Sequence, residues 1–151
     1  MKSKQGTLNI LLDTSFILPS LGIDTGKEVT QCLKKLADIK SEIHISPFSI
    51  LESLWIMTRL IGATDFNTEH FKIGLRSILE SGRYKKIEET SEIFNEALRL
   101  YRLGHKDMID NILYASSTQL NLRLLTPDTE LKEFIHKKRL NDTLISPSQI
   151  A

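Results

Sequence analysis

The stretch Leu8-Asn9-Ile10-Leu11-Leu12-Asp13-Thr14-Ser15 decides the predicted fold. Its first five residues form a nearly continuous apolar run, which is typical of a strand buried on both faces of a parallel sheet. The run stops at Asp13, and the hydroxyl residues that follow favour a turn that opens into a helix. The sequence therefore predicts a buried strand with an acidic residue at its carboxyl end.

Further strands and helices alternate along the chain. The other predicted strands are Glu42–Ile45, Arg123–Thr126 and Thr143–Ile145, with a stub at Ile87. The predicted helices are Lys27–Ile39, Pro47–Ile61, Thr68–Ser81, Thr90–Leu103, Lys106–Leu120 and Thr129–Lys137. This alternation predicts a three-layer α/β/α fold with a mainly parallel sheet, as one domain over residues 1–151. The helices between Pro47 and Leu103 exceed what a crossover needs, so we expect them to pack over one side.

Composition sets broad limits on function. With 40% hydrophobic and 26% charged residues, the 151-residue chain resembles an ordinary globular domain, and its net charge of +1 indicates no particular partner. Cys32, the only cysteine, has helical spacing with apolar neighbours and is expected in the core. No segment approaches the roughly 20 apolar residues that span a bilayer. We therefore expect a soluble, cytoplasmic protein without a membrane partner.

Four acids are expected at the carboxyl edge of the sheet, where parallel α/β proteins bind ligands. Asp13 follows the first strand, and Asp128 lies two residues beyond Thr126 at the end of a later strand. Glu52 is in the second turn of the helix that leaves the second strand. Asp110 is in the first turns of the helix that leads into the strand ending at Thr126. If these elements are neighbours, the four carboxylates share one crevice.

Clustered carboxylates repel one another unless their pKa values rise or a cation binds. Hard oxygen ligands select Mg²⁺ or Mn²⁺, and such ions are the usual apparatus of phosphodiester hydrolysis. Asp13 and Asp128 could each be simple caps or turn residues, whereas Glu52 interrupts a mostly apolar helix and is harder to explain structurally. Asp107, three residues before Asp110, is either an auxiliary ligand or an N-terminal cap, and the cap is favoured.

The chain resembles the PIN-domain family. The resemblance is carried, in the family's order, by Leu11-Leu12-Asp13-Thr14-Ser15, Ser49-Ile50-Leu51-Glu52, Asp110-Asn111-Ile112-Leu113-Tyr114-Ala115-Ser116 and Leu124-Leu125-Thr126-Pro127-Asp128. It implies a three-layer α/β/α fold and, as in many members, a ribonuclease that depends on Mg²⁺ or Mn²⁺. Many prokaryotic members are toxins of toxin–antitoxin pairs, so a small antitoxin protein is an implied partner.

By motif position, the resemblance implies that Asp13, Glu52, Asp110 and Asp128 are the catalytic, metal-binding acids. The small hydroxyl residues beside them would be Thr14 or Ser15, and Thr126. One departure concerns Asn111, which stands where the family more often has a small apolar residue.

The predicted function is divalent-metal-dependent cleavage of RNA. Arg83, Lys85 and Lys86 are the basic cluster preferred for phosphate contacts, although such clusters are more often solvated surface. The exposed side of Phe66–Leu79 could form a homodimer surface, but core packing explains its apolar residues equally well.

Alternative functions are weaker matches to the sequence. A haloacid-dehalogenase phosphatase would need a second Asp where Ser15 stands, and neither a phosphate loop nor a dinucleotide-binding glycine pattern is present. The alternative that stays open is a PIN-like fold that binds RNA or acts as a scaffold without hydrolysis.

Overall fold

A computed structural model describes residues 7–62 and 66–150. Its strands are β1 (Leu8–Leu12), β2 (Ser41–Ile45), β3 (Tyr84–Lys86), β4 (Arg123–Leu125) and β5 (Leu144–Ile145). Its α-helices are α1 (Lys27–Asp38), α2 (Pro47–Leu60), α3 (Thr68–Glu80), α4 (Ser91–Leu103), α5 (Met108–Gln119) and α6 (Thr129–Lys137). Short 3₁₀ helices cover Thr14–Phe16, Leu18–Leu21 and Pro147–Gln149. None of the helices in the described ranges is long and apolar enough to cross a membrane.

The five strands form one parallel sheet in the order β3-β2-β1-β4-β5. Apolar side chains alternate between its two faces, as the pleat of a strand requires. Ile10 and Leu12 enter one core with α1 and α3, whereas Leu11 enters the other core with α5 and α6. Cys32 is buried in the first of these cores, as expected. The predicted three-layer α/β/α fold with a parallel sheet is confirmed.

Two details of the predicted fold are wrong. The helices between Pro47 and Leu103 do not lie on one side, because α3 packs Ile78 into the core of α1 while α4 packs Ile93 and Leu100 against α5. The third strand is Tyr84–Lys86 rather than a stub at Ile87, although the Ile87 amide still donates to Ile45. The short strand was hidden because two of its three residues are exposed lysines on a sheet edge.

The backbone of α3 approaches the second 3₁₀ helix very closely at Gly74, which is buried. A Cβ atom built there would lie 1.8 Å from the carbonyl oxygen of Ser20. Only a residue without a side chain can occupy this position, so Gly74 sets the distance between α3 and the segment that follows Asp13.

The α2 helix has an unusual distribution of side chains. Ser49 and Ser53 are 0% exposed, whereas Leu51, Leu54 and Trp55 are 38%, 41% and 51% exposed. The buried serines allow α2 to lie close to its neighbours, and the large apolar side chains face outward. Glu52, between these two sets of side chains, is partly buried.

Candidate active site

The chain order of the sheet reverses at β1, because β2 and β3 lie on one side of it and β4 and β5 on the other. In parallel α/β sheets, the crevice at such a switch point is the usual ligand site. The Asp13 amide donates to the Leu125 carbonyl over 3.0 Å, which joins the ends of β1 and β4 at this point. The side chains that follow these two strands therefore define the candidate site.

Asp13 is held by the turn that it starts. Its Oδ2 accepts hydrogen bonds from the Ser15 hydroxyl at 2.8 Å and from the Ser15 amide at 3.3 Å. Burial raises the pKa of Asp13 from 3.8 to about 6, even though the hydrogen bonds from Ser15 oppose the change. The negative charges of Glu52 and Asp128 raise that pKa further, so both side chains act on Asp13.

Asp110 lies at the centre of the acidic group. Burial raises the pKa of Asp110 above its ordinary value, followed by the charges of Asp13 and Asp107 and by a hydrogen bond with the Asp128 carboxyl. A hydrogen bond between two carboxyl groups requires a proton on one of them. Without a cation, burial and these neighbouring groups therefore favour the protonated form of Asp110.

Asp128 and Asp107 both have capping roles in the structure. Oδ1 of Asp128 accepts from the amides of Glu130 and Leu131 at the start of α6, at 2.9 and 3.3 Å. Asp107 is exposed, and its Oδ1 accepts from the Asp110 amide over 3.1 Å as the N-cap of α5. Asp107 is thus engaged in positioning the backbone of Asp110, while Asp128 combines a cap with its contact to Asp110.

The predicted hydroxyl residues have three different environments. Ser15 donates to Asp13, and the Thr126 hydroxyl accepts from the Asp128 amide over 3.1 Å. The Thr14 hydroxyl is buried without a hydrogen-bond partner among the described residues. Ser15 therefore holds the carboxylate of Asp13, and Thr126 holds the backbone of Asp128.

Asn111, the departure from the family pattern, has a structural role. It is fully buried, its Nδ2 donates to the His105 carbonyl at 2.8 Å, and its Oδ1 lies 2.8 Å from His105 Nδ1. The His105 ring packs against Phe134 with 5.1 Å between centroids. Asn111 therefore ties the loop before α5 in place beside Asp110.

The residues available for a divalent cation are four carboxylates. None of the ion pairs formed by residues 7–62 and 66–150 includes Asp13, Glu52, Asp110 or Asp128. Their hard oxygen atoms suit Mg²⁺ or Mn²⁺ chemically. In the same part of the chain, however, no three acidic, histidine or cysteine side chains are arranged to hold an ion. The donor set fits a hard cation, and its side chains would have to turn toward one point to bind it.

The predicted basic cluster lies on and next to β3, the outermost strand on one side of the sheet. Lys85 Nζ is 3.1 Å from Glu42 Oε2 on the neighbouring strand, and the Arg83 guanidinium lies 5.8 Å from the centre of the Tyr84 ring. Lys86 is exposed at the carboxyl end of β3, on the same edge as the acids. Phosphate binding by Arg83, Lys85 and Lys86 stays a prediction, with Lys86 the best placed.

The sequence did not indicate a cavity of about 360 Å³ beside Asp128. It is lined by Thr126, Lys132 and the segment Ser146–Gln149, which follows β5. The Ser146-Pro147 pair predicts only the end of the last strand. A capping-box spacing between Ser146 and Gln149 was the available signal, because it predicts a turn that folds back at this edge.

The metal-free protein is expected to become more stable as the pH falls from about 8 toward about 5. Asp13 and Asp110 bind protons more tightly in the folded chain than at their ordinary pKa of 3.8. The cost of their charge is therefore absent below about pH 4 and grows as the pH rises through the folded pKa values. Urea denaturation in EDTA at three pH values measures this effect. A double replacement, Asp13→Asn with Asp110→Asn, should flatten the profile, and an equal slope in both proteins would contradict the assignment.

The chain is similar to a known protein family and to several solved structures. Residues 10–137 match the family model of the PIN domain. No curated protein sequence matches the chain significantly. A toxin–antitoxin complex from Klebsiella pneumoniae has 19% identity and a TM-score of 0.58, covering 91% of this chain and 97% of that one.

Two further solved structures have the same fold. VapBC2 from Rickettsia felis, bound to a DNA fragment from its promoter, has 14% identity and a TM-score of 0.63, covering 92% of this chain and 98% of that one. FitAcB from Neisseria gonorrhoeae has 18% identity and a TM-score of 0.55, and the match covers 92% of this chain and 98% of that one. At these identities the likeness establishes the fold alone.

Proposed function

The chain belongs to the PIN-domain family, and from this premise we propose that it is a divalent-metal-dependent endoribonuclease. The observation that carries the proposal is the group of four acids at the switch point of the sheet, which act on one another and have no basic partner among the described residues. Such a group is costly to keep in a metal-free fold, and a divalent cation would remove that cost. Members of the PIN-domain family are generally nucleases, which supports the same activity.

Asp13, Glu52, Asp110 and Asp128 are the proposed ligands. Ser15 keeps Asp13 in position, Thr126 keeps Asp128 in position, and the Asp107 cap keeps Asp110 in position. Mg²⁺ or Mn²⁺ would supply activation of water and stabilisation of charge at the phosphate. Asp110, whose pKa is raised, must lose its proton before it can act as a ligand. The exposed carboxyl end of the sheet would admit single-stranded RNA, with Lys86 as a phosphate contact at its border.

A small antitoxin protein is the proposed partner. The solved structures of the same fold include a toxin–antitoxin complex from Klebsiella pneumoniae and VapBC2 from Rickettsia felis. The outward apolar side chains of α2, Leu51, Leu54 and Trp55, adjoin Glu52 in sequence and offer such a partner a surface beside the acids. A cytoplasmic location, where RNA is made and the Cys32 thiol stays reduced, belongs to the same proposal.

A second copy of the chain is the other candidate partner. Within the predicted surface Phe66–Leu79, the side chains of Phe71, Leu75 and Leu79 pack against the core, and Ile73 is 67% exposed. Core packing thus accounts for most of that stretch. Light scattering of the purified chain distinguishes a dimer from a monomer.

The test of the nuclease proposal is cleavage of single-stranded RNA by purified protein. We expect cleavage with Mn²⁺ or Mg²⁺, loss of cleavage in EDTA, and recovery when excess Mn²⁺ is added. Replacement of a proposed ligand, as in Asp13→Asn, should abolish cleavage. Asp24→Asn removes an exposed acid elsewhere, so it is the matched control and should cleave like wild type. Cleavage that continues in EDTA would refute the metal dependence.

The alternative function is a PIN-fold subunit that binds RNA or acts as a scaffold without hydrolysis. The absence of a preformed three-ligand arrangement among the described residues favours it. Calorimetry with Mn²⁺ separates the two functions without requiring the right RNA. Binding that disappears in Asp110→Asn supports the nuclease, whereas no heat of binding in wild type supports the scaffold.

A further inference from the structure

The cavity beside Asp128 lies between the loop after β4 and the segment after β5. Thr126, Pro127 and Asp128 line it on one side, and residues Ser146–Gln149 line it on another. Its volume of about 360 Å³ is near the lower end of the range of about 300–1,000 Å³ found for ligand pockets. Because Asp128 belongs both to the cavity and to the acidic group, a ligand in the cavity would lie next to the candidate active site.

The walls of the cavity combine apolar surface with a few polar groups. Pro127, Ile145 and Pro147 contribute apolar surface, and Ser146, Ser148 and Gln149 contribute hydrogen-bonding groups. An unstacked base could pack its face against this apolar surface while the polar groups hydrogen-bond its edge, although no aromatic ring of the described residues lines the cavity.

The Gln149 side chain has an amide NH₂ group that forms no hydrogen bond with the described residues. Its Oε1 accepts from the Ser146 amide at 2.7 Å and from the Ser146 hydroxyl at 3.1 Å. An amide nitrogen donor can be satisfied only by the oxygen of the Gln149 side chain, so the orientation of that side chain is determined. The Nε2 group presents two donors. It suits an acceptor such as a carbonyl oxygen or a ring nitrogen of a nucleobase.

The charges around the cavity favour one orientation of a bound nucleotide. Lys132 follows Asp128 by one turn of α6, is exposed, and forms no ion pair with the rest of the described chain. It can attract a phosphate. Glu28 of α1 also lines the cavity and would repel a second phosphate there. The cavity is therefore suited to the base end of one nucleotide, with its phosphate toward Lys132 and the acids.

We propose that this cavity binds the base of the nucleotide next to the scissile phosphate, and that Gln149 makes the enzyme selective for bases that present an acceptor to it. The inference rests on the proposed function, and it adds a specificity-determining residue that the acidic motifs do not include. It predicts a base preference at a single position adjacent to the cut.

Gln149→Glu is the decisive variant. Glutamate keeps the oxygen that accepts from Ser146, so the capping box is retained, but it replaces the donor group with an acceptor. Gln119→Glu, at the exposed end of α5 and the opposite edge of the sheet, is the control with the same change of charge. A randomised single-stranded RNA is cut by each protein, and the bases flanking the cuts are counted.

We expect Gln149→Glu to change the ratio of bases at one flanking position by about fivefold or more, the effect of one hydrogen bond. Gln119→Glu should keep the wild-type ratios. Lys132→Gln should slow cleavage of all sequences similarly, because a phosphate contact carries no base information. Unchanged ratios in an active Gln149→Glu protein would overturn the inference and leave the nuclease proposal intact.

Nucleotide binding gives a readout that does not require cleavage. The four nucleoside 5′-monophosphates are added to the metal-free protein, and amide chemical shifts are recorded by NMR. We expect the largest changes at Ile145 and Gln149, with a different order of nucleotides in Gln149→Glu. If no nucleotide perturbs these residues, the base-binding site is refuted, even when RNA cleavage is observed. If nucleotides bind here but wild type cuts no RNA, the nuclease proposal fails and the binding site stands.

Discussion

The Asp13→Asn protein is expected to lose RNA cleavage by about a thousandfold or more, the loss that follows when several kcal/mol of transition-state stabilisation disappear. Asparagine keeps the shape of the side chain and one oxygen that can accept from Ser15, so the turn after β1 should be retained. What is removed is a negative ligand at the point where β1 and β4 meet. Initial rates with saturating Mn²⁺ measure the effect.

The same substitution should stabilise the metal-free protein. The raised pKa of Asp13 means that its charge is disfavoured in the folded state at neutral pH. Asparagine carries no charge, so the free energy of unfolding at about pH 8 in EDTA should rise by roughly 2 kcal/mol, after allowance for partial exposure. Gain of stability with loss of activity is the signature of an acid retained for function. An Asp13→Asn protein that is destabilised in EDTA and still cleaves RNA would contradict both the site and the role.

The Gly74→Ala protein is expected to be the least stable of the variants considered. The added Cβ would meet the Ser20 carbonyl oxygen at 1.8 Å, and a backbone atom cannot turn away as a flexible side chain can. The helix α3 and the 3₁₀ helix Leu18–Leu21 would have to separate. We expect a loss of at least about 3 kcal/mol in the free energy of unfolding, the upper range for overpacking, or a fall in Tm of roughly 10 °C.

Gly62→Ala is the matched control for this variant. Apart from its chain neighbours, no atom of the described residues lies within 4 Å of a Cβ built at Gly62, so the control should change stability by less than about 1 kcal/mol. Thermal denaturation of both variants measures the difference. Equal Tm values for Gly74→Ala and wild type would show that the close contact between α3 and Ser20 is not needed for the fold.

The effect of Gly74→Ala on activity is a consequence of its position. The segment Leu18–Leu21 continues from the turn that begins at Asp13, so displacement of Ser20 is transmitted toward the acid. At a temperature where the variant is folded, we expect weaker Mn²⁺ binding than in wild type.

Much of the fold was determined by local sequence. The apolar run Leu8–Leu12 indicates a strand, its last three residues are buried, and β1 has the predicted bounds. The helix α6 also has the predicted bounds, because Asp128 caps its first turn and the apolar residues follow at helical spacing. Both signals are local in sequence, and in α6 the hydrogen bonds of the Asp128 cap lie within three residues.

Other elements depended on the tertiary structure. The strand β3 is formed by pairing with β2 rather than by its own side chains, since Tyr84-Lys85-Lys86 carries no buried apolar pattern. The side of the sheet on which α3 and α4 lie was likewise decided by packing. Gly74 fits only against Ser20 on one face, whereas Ile93 and Ala97 fit against α5 on the other.

The candidate site divides in the same way. The sequence by itself determined which acids follow the strands, because Asp13 and Asp128 stand directly after apolar runs that end at one edge of a parallel sheet. Only the tertiary structure decided that Asp107 caps α5 while Asp110 meets Asp128, since both acids have suitable positions in the chain. The cavity with Gln149 was also decided there, because its walls come from segments far apart in sequence that meet only when β5 pairs with β4. Local propensity specifies elements and their ends, and the packing of the sheet specifies which of those ends share a site.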